Sequence, residues 1–157
     1  MLDAYRFARE AGCLEGRLAL LDFRRLLDVL ARTDGWVDYR LSGVTGDQGQ
    51  ARLRLQVTGR LLLVCQRCLG AAAYDLRIDR LLELAPEGSA PTQEEMEDDN
   101  VDILPLDGAL AVDALVEDEV LLSLPIAPRH AECALPAAAA GDARANPFAA
   151  LVALKHR

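Results

Sequence analysis

Four cysteines and two histidines carry most of the chemistry this chain could perform. Cys65 and Cys68 form a C-x-x-C pair, and His130 and Cys133 form an H-x-x-C pair far downstream. Two closely spaced pairs are what a tetrahedral zinc site needs, because each pair fits one turn and the fold brings the turns together. A Cys3His set would be closed, with no open coordination position, and so structural. One zinc held by all four ligands adds on the order of 10 kcal/mol to holding the two segments together. Gly70, just past Cys68, gives the turn room to pack around an ion. Two other readings compete. In one, Cys133 sits unpaired in a loop and His130 is solvated. In the other, Cys65 and Cys68 are a redox dithiol. Such dithiols draw a low thiol pKa from a helix N-terminus, whereas β-like sequence flanks this motif on both sides. A structural disulfide belongs to an oxidising compartment.

Other residues point to structure rather than catalysis. Glu119 falls on the apolar arc of a predicted helix, where a lone carboxylate is costly unless paired. Arg67, inside the C-x-x-C turn, is its expected partner, in a charge-assisted pair tying the turn to the helix. Glu117 and Asp118 are expected to face water. Arg24, Arg25, Arg52, Arg54 and Arg60 could form a basic surface, but no aromatics interleave with them to stack on bases. His156 lies near the chain end, and there is neither a phosphate-binding glycine loop nor a nucleophile elbow. The expectation is therefore a protein that is not an enzyme. The acidic run at 94–99 lacks the defined cage that magnesium or calcium requires.

The elements that must position these residues follow from periodicity. Leu18, Leu21, Leu26, Leu27 and Leu30 predict a helix over about 20–33, with Asp22 as its cap and Thr33-Asp34-Gly35 as its stop. Val37, Tyr39 and Leu41 alternate with polar residues, as a half-buried strand does. Leu53, Leu55 and Val57 begin a second, long strand that runs toward Cys65, with a bulge or kink expected at Gly59. Tyr74, Leu76 and Ile78 alternate in the next strand, so the C-x-x-C pair sits at the tip of a hairpin. A short strand at 101–104 and a helix from about Asp107 to Ser123 follow, ended by Pro125. Short turns between the central strands disfavour parallel βαβ units. The fold class is therefore α+β: an antiparallel sheet or small partly open barrel, with flanking helices and a short C-terminal helix. Residues 1–133 are read as one domain with an acidic loop at about 86–100. Residues 134–157 are read as an Ala-rich connector and an amphipathic tail that starts at Asn146-Pro147-Phe148, with Asn as N-cap and Pro at the first helical position, and that either packs on its own core or touches a partner.

Charge is unevenly distributed. Residues 1–80 hold 13 Arg against 10 acids, while residues 81–128 hold 13 acids and neither Lys nor Arg, within a chain of net charge −8. Nucleic-acid coating needs clustered cations, so DNA is not an expected partner. Glu94, Glu95, Glu97, Asp98 and Asp99 would instead attract a basic partner; the alternative is that they only keep a loop solvated. No apolar run reaches the roughly 20 residues of a membrane span, and the opening MLDAYRFARE has no signal-peptide apolar core. A cytoplasmic protein without membrane contact is the expectation.

Four ordered blocks carry a family resemblance. Val64-Cys65-Gln66-Arg67-Cys68-Leu69 resembles the signature of the YceD-like family, the large ribosomal RNA subunit accumulation proteins. The stretch Leu115-Val116-Glu117-Asp118-Glu119-Val120-Leu121-Leu122-Ser123-Leu124-Pro125 is similar to that family's second signature. His130 and Cys133 follow as a His and a Cys do there, and Asn146-Pro147-Phe148 through Lys155 resembles its C-terminal tail. The resemblance runs from about Phe7 to the end. It implies a role in synthesis, processing or stability of 23S ribosomal RNA, without catalysis. It also implies a basic, zinc-binding ribosomal protein of the large subunit as a partner. On this basis the chain is an adaptor touching the pre-ribosomal large subunit or its 23S RNA. The alternatives are a holder of a basic ribosomal protein without RNA contact and a thiol oxidoreductase using Cys65 and Cys68.

Overall fold

The computed structural model describes residues 1–88 and 101–133. In chain order the elements are β1 (Leu2–Asp3), α1 (Ala4–Arg9), β2 (Cys13–Ala19), a 3-10 turn (Leu20–Asp22), β3 (Trp36–Thr45), β4 (Ala51–Val64), β5 (Ala71–Ala85), β6 (Asp102–Pro105), β7 (Ala109–Leu110) and α2 (Val112–Ser123). Five strands form one sheet in the order β2-β3-β4-β5-β6, and β1 pairs with β7 in a second, two-stranded sheet. The class is α+β. The large sheet stays open, with β2 and β6 at its edges.

Strict alternation builds the sheet. Val37 and Leu41 on β3, and Leu53, Leu55, Val57, Leu61 and Leu63 on β4, are buried on one face. Arg54, Thr58 and Arg60 stand on the other, in water. Burying such a leucine stabilises by about 2 kcal/mol relative to leaving it exposed. Helices α1 and α2 cover the inner face, contributing Ala4, Ala8, Leu115, Val116 and Val120 to the same core. Helix α1 lies close to β3 because Gly43 has no side chain: a Cβ there would meet the Phe7 carbonyl oxygen at 2.4 Å.

Four expectations need correction. The helix predicted over 20–33 is a chain of three-residue turns, with Leu26 N–H bonded to Phe23 O at 3.1 Å and Val29 N–H to Leu26 O at 3.0 Å. Its buried residues Leu20, Phe23, Leu26 and Leu30 fit that spacing as well as they fit a helix. The backbone then goes to β4, where Ala31 N–H bonds Leu62 O at 2.7 Å and Val64 N–H bonds Val29 O at 2.9 Å. That edge is free because β3 pairs with β4 only as far as Gly59. Secondly, α2 begins at Val112 rather than Asp107, since Ala109 and Leu110 are taken up by the ladder to β1. Thirdly, Gly59 marks no bulge. The registers to β3 and β5 run through it unbroken, and it is there for close approach, because a Cβ would lie 2.9 Å from Val37 Cγ1. Fourthly, the sheet is mixed: β2 to β5 are antiparallel as predicted, but β6 joins β5 in parallel.

The predicted acidic loop falls mostly, and its residues Glu94, Glu95, Glu97, Asp98 and Asp99 entirely, outside the described residues. The connector from 134 and the tail start at Asn146, Pro147 and Phe148 also lie outside them.

Candidate metal centre

Strands β4 and β5 form the predicted hairpin, in register from Arg52↔Glu83 to Val64↔Ala71. Its tip closes with Cys65 N–H to Gly70 O at 2.9 Å and Leu69 N–H to Cys65 O at 2.9 Å. The left-handed residue of this turn is Leu69, at φ 61°. Gly70 is not required for space, since a Cβ there would make ordinary contacts, 3.5 Å from Cys68 Sγ and 3.8 Å from His130 Cε1. Helix α2 ends over the same hairpin, where the Tyr74 hydroxyl donates to Ser123 O at 2.9 Å. Beyond it the chain crosses the tip, and Gln66 N–H donates to Pro128 O at 2.8 Å. These contacts deliver His130 and Cys133 to the two hairpin cysteines.

Cys65, Cys68, His130 and Cys133 each offer one ligand atom, and all four atoms lie within 4.8 Å of one another. Cys65 Sγ is 3.8 Å from Cys133 Sγ, and Cys68 Sγ is 3.3 Å from His130 Nδ1. Tetrahedral zinc, with bonds of about 2.3 Å to sulfur and 2.0–2.1 Å to nitrogen, sets sulfurs about 3.8 Å apart and sulfur about 3.6 Å from nitrogen. All four cysteines of the chain are free thiols, so no S–S bond accounts for the approach. The donor set, three soft thiols and one imidazole, suits zinc. The arrangement is compatible with a zinc site.

Electrostatics divide the four groups: Cys65 and Cys133 are shifted toward the ligating thiolate, Cys68 and His130 toward the protonated form. The Cys68 backbone amide, with those of Arg67 and His130, holds the Cys65 thiol down to about 5 against the upward push of burial. The Arg67 guanidinium lowers Cys133, donating from Nε to its sulfur at 3.0 Å. At Cys68 the Gly70 amide pulls downward, but burial and the neighbouring thiols outweigh it and the net shift is upward. His130 is raised, first by the Ala71 carbonyl and then by Cys133 and Cys65. That carbonyl lies 2.9 Å from His130 Nε2. A carbonyl can only accept, so Nε2 carries the proton and Nδ1 presents its lone pair to the thiols. Metal-ligating histidines are oriented in this way.

Arg67 does not pair with Glu119. Its guanidinium turns to Cys133, and its Nη2 sits 3.5 Å from His130 O. Glu119 is buried as expected, but its nearest cation is Arg80, with Nε 3.9 Å from Oε2. Arg80 stands opposite Leu55 in the register and so reaches α2 from the inner face. Sequence reasoning missed Arg67's role because an arginine between two cysteines carries no sign of which anion it will meet. Glu117 is not solvated: it clasps Arg25, accepting from its backbone N–H at 2.8 Å and from Nη2 at 3.0 Å, while Asp118 also pairs with Arg25. Of the candidate basic surface, Arg25, Arg52, Arg54 and Arg60 are matched by acids, whereas Arg24 has no ion pair among the described residues. Arg52 pairs with Glu83 at 2.7 Å, Arg54 with Asp79 at 2.7 Å and Arg60 with Asp75 at 3.8 Å. Arg17 and Arg40 pair with Asp38 and Glu15 on the same sheet. Among the described residues no helix is long and apolar enough to cross a membrane.

Comparison with known proteins bears on the same segment. The family model described as large ribosomal RNA subunit accumulation protein YceD matches residues 53–155. No curated protein and no solved structure matches the chain. The matched region takes in nearly all of the β4–β5 hairpin, the C-x-x-C tip, α2 and the His130–Cys133 segment, and it exceeds half of the 157 residues. The chain belongs to the YceD family of large ribosomal RNA subunit accumulation proteins.

Proposed function

We propose that this protein supports the synthesis, processing or stability of 23S ribosomal RNA as a non-catalytic adaptor in large-subunit assembly, with one structural zinc at Cys65, Cys68, His130 and Cys133. The observation that carries the reading is the convergence of these four ligand atoms within 4.8 Å, in a family described by large-subunit RNA accumulation. When bound, the ion supplies rigidity and, with four protein ligands, keeps no position open for substrate. Cys65 and Cys68 hold the hairpin side of the site. His130 and Cys133 hold the segment after α2. Glu94, Glu95, Glu97, Asp98 and Asp99 engage a basic ribosomal protein or assembly factor by electrostatic steering. Asn146, Pro147 and Phe148 open the tail that contacts the pre-ribosomal particle.

The thiol oxidoreductase reading is weaker. Cys65, the thiol of the C-x-x-C pair with the depressed pKa, is fully buried, whereas a reactive thiol must be reached by its substrate. The ion pairs of Arg52, Arg54 and Arg60 favour a second reading, a holder of a basic protein without RNA contact, because arginines already matched by acids attract phosphate poorly.

Metal analysis of the purified chain, with sedimentation alongside ribosome precursors, tests the proposal. One equivalent of zinc and co-sedimentation are expected. Deleting 146–157 should lower mature large-subunit RNA while the domain stays folded. Normal RNA levels in that deletion count against the tail. Salt-sensitive pull-downs with and without nuclease separate the two readings: nuclease-resistant capture favours the protein-only holder.

A further inference from the structure

We propose that Arg67 is the charge-balancing and positioning residue of the metal centre, keeping the thiolate of Cys133 in place and shielding it from electrophiles. The inference deepens the zinc reading and rests on it. Arg67 is the third residue of the C-x-x-C turn, yet both of its contacts lie across the site: Nε is 3.0 Å from Cys133 Sγ, and Nη2 is 3.5 Å from His130 O. It therefore reaches from the hairpin to the other ligand-bearing segment. Among the described residues no carboxylate comes within ion-pair distance of it, in contrast to Arg25, Arg52 and Arg54.

The charge arithmetic explains the choice of partner. Three thiolates and a neutral imidazole leave a divalent ion with one net negative charge. Cys65 is buried, and Cys68 and Cys133 are half-buried, so that excess charge is poorly screened by water. One guanidinium brings the cluster to neutrality, and an N–H donor on a thiolate draws charge from the sulfur lone pairs that an electrophile would attack. The fork of an arginine can address a sulfur and a carbonyl together, which the point charge of a lysine does less well.

The test compares the full chain with Arg67→Gln and Arg67→Lys. Each is loaded with one zinc and titrated against a chromophoric chelator. The zinc-loaded proteins are then exposed to N-ethylmaleimide, with the order of thiol modification mapped by mass spectrometry. Arg67→Gln should bind zinc about 10–100-fold more weakly, with Cys133 modified before Cys65 and Cys68. Arg67→Lys should recover part of both effects, since it restores charge without the fork. A folded Arg67→Gln protein that matches the unmodified chain in affinity and alkylation order overturns the assignment and leaves the zinc reading standing. If Arg67→Gln does not fold, the alkylation order of the zinc-loaded unmodified chain decides: Cys133 modified before Cys68 overturns the shielding equally. An unmodified chain that takes up no zinc overturns the metal centre itself, and Arg67's role with it.

Discussion

Removing zinc should unfasten one segment and leave the rest of the fold standing. The residues from Pro125 to Cys133 cross the hairpin tip, and none of them is buried. Ordering these nine residues costs about 1 kcal/mol or more of backbone entropy each, so at least about 9 kcal/mol. Three good hydrogen bonds hold them to the hairpin, from Gln66 N–H to Pro128 O, from His130 Nε2 to Ala71 O and from Arg67 Nε to Cys133 Sγ, and these return about 1 kcal/mol each. A closed zinc site contributes on the order of 10 kcal/mol, which brings the sum to rough balance in favour of order. Without the ion the segment should detach. The hydrophobic cluster contains no residue of it and should persist. Hydrogen exchange with and without a chelator reads this directly. The Gln66 amide should lose its protection when zinc is removed, while the amide of Leu55, within β4, keeps its own. Unchanged exchange at Gln66 would refute the reasoning, and so would loss of protection at both sites together, which would mean that the metal holds the whole domain.

Three further outcomes follow from particular contacts. Burial raises the Glu119 carboxyl pKa, with Arg80 only partly opposing it. A raised acid contributes stability below its unfolded value and loses it as pH rises through the folded one. Glu119→Gln should therefore gain on the order of 1 kcal/mol at pH 7 and nothing at pH 4, read from urea midpoints at the two pH values. Zinc held by three thiolates and an imidazole competes with protons for its ligands, so release to a chromophoric chelator should rise in a single stage as pH falls. Release that does not depend on pH would contradict this ligand set. Finally, Gly43→Ala must push α1 off β3, because the new methyl would meet Phe7 O at 2.4 Å and Ala8 Cα at 2.8 Å. A loss of about 1–3 kcal/mol by thermal or urea unfolding is expected.

The central hairpin was legible in the sequence because side-chain direction in a strand depends only on local parity. Leu53, Leu55 and Val57 had to share a face, and so did Tyr74, Leu76 and Ile78, which left Cys65 and Cys68 at the tip. The metal-ligand types and their pair spacing were legible for the same local reason. Turns were less so. A spacing of three to four residues serves a helix and a run of tight turns alike, and the segment at 20–31 took the second course because a free edge of β4 was waiting for it. The parallel pairing of β6 and the strand at Ala109–Leu110 depended on partners distant in sequence.

Ion pairs were the least legible. Glu119 is predicted to pair with Arg67, yet each meets a different group, Arg80 for Glu119 and Cys133 for Arg67. The sequence by itself determined which residues point inward along each strand, that the chain carries four residues of types that can ligate zinc, and that it resembles a ribosomal RNA accumulation family. Only the tertiary structure decided that the two ligand pairs meet, because that required α2 to end over the hairpin and the following segment to bond Gln66. Which anion faces which cation was decided there too, since a long charged side chain samples several angstroms of space and the packing of other elements selects its partner.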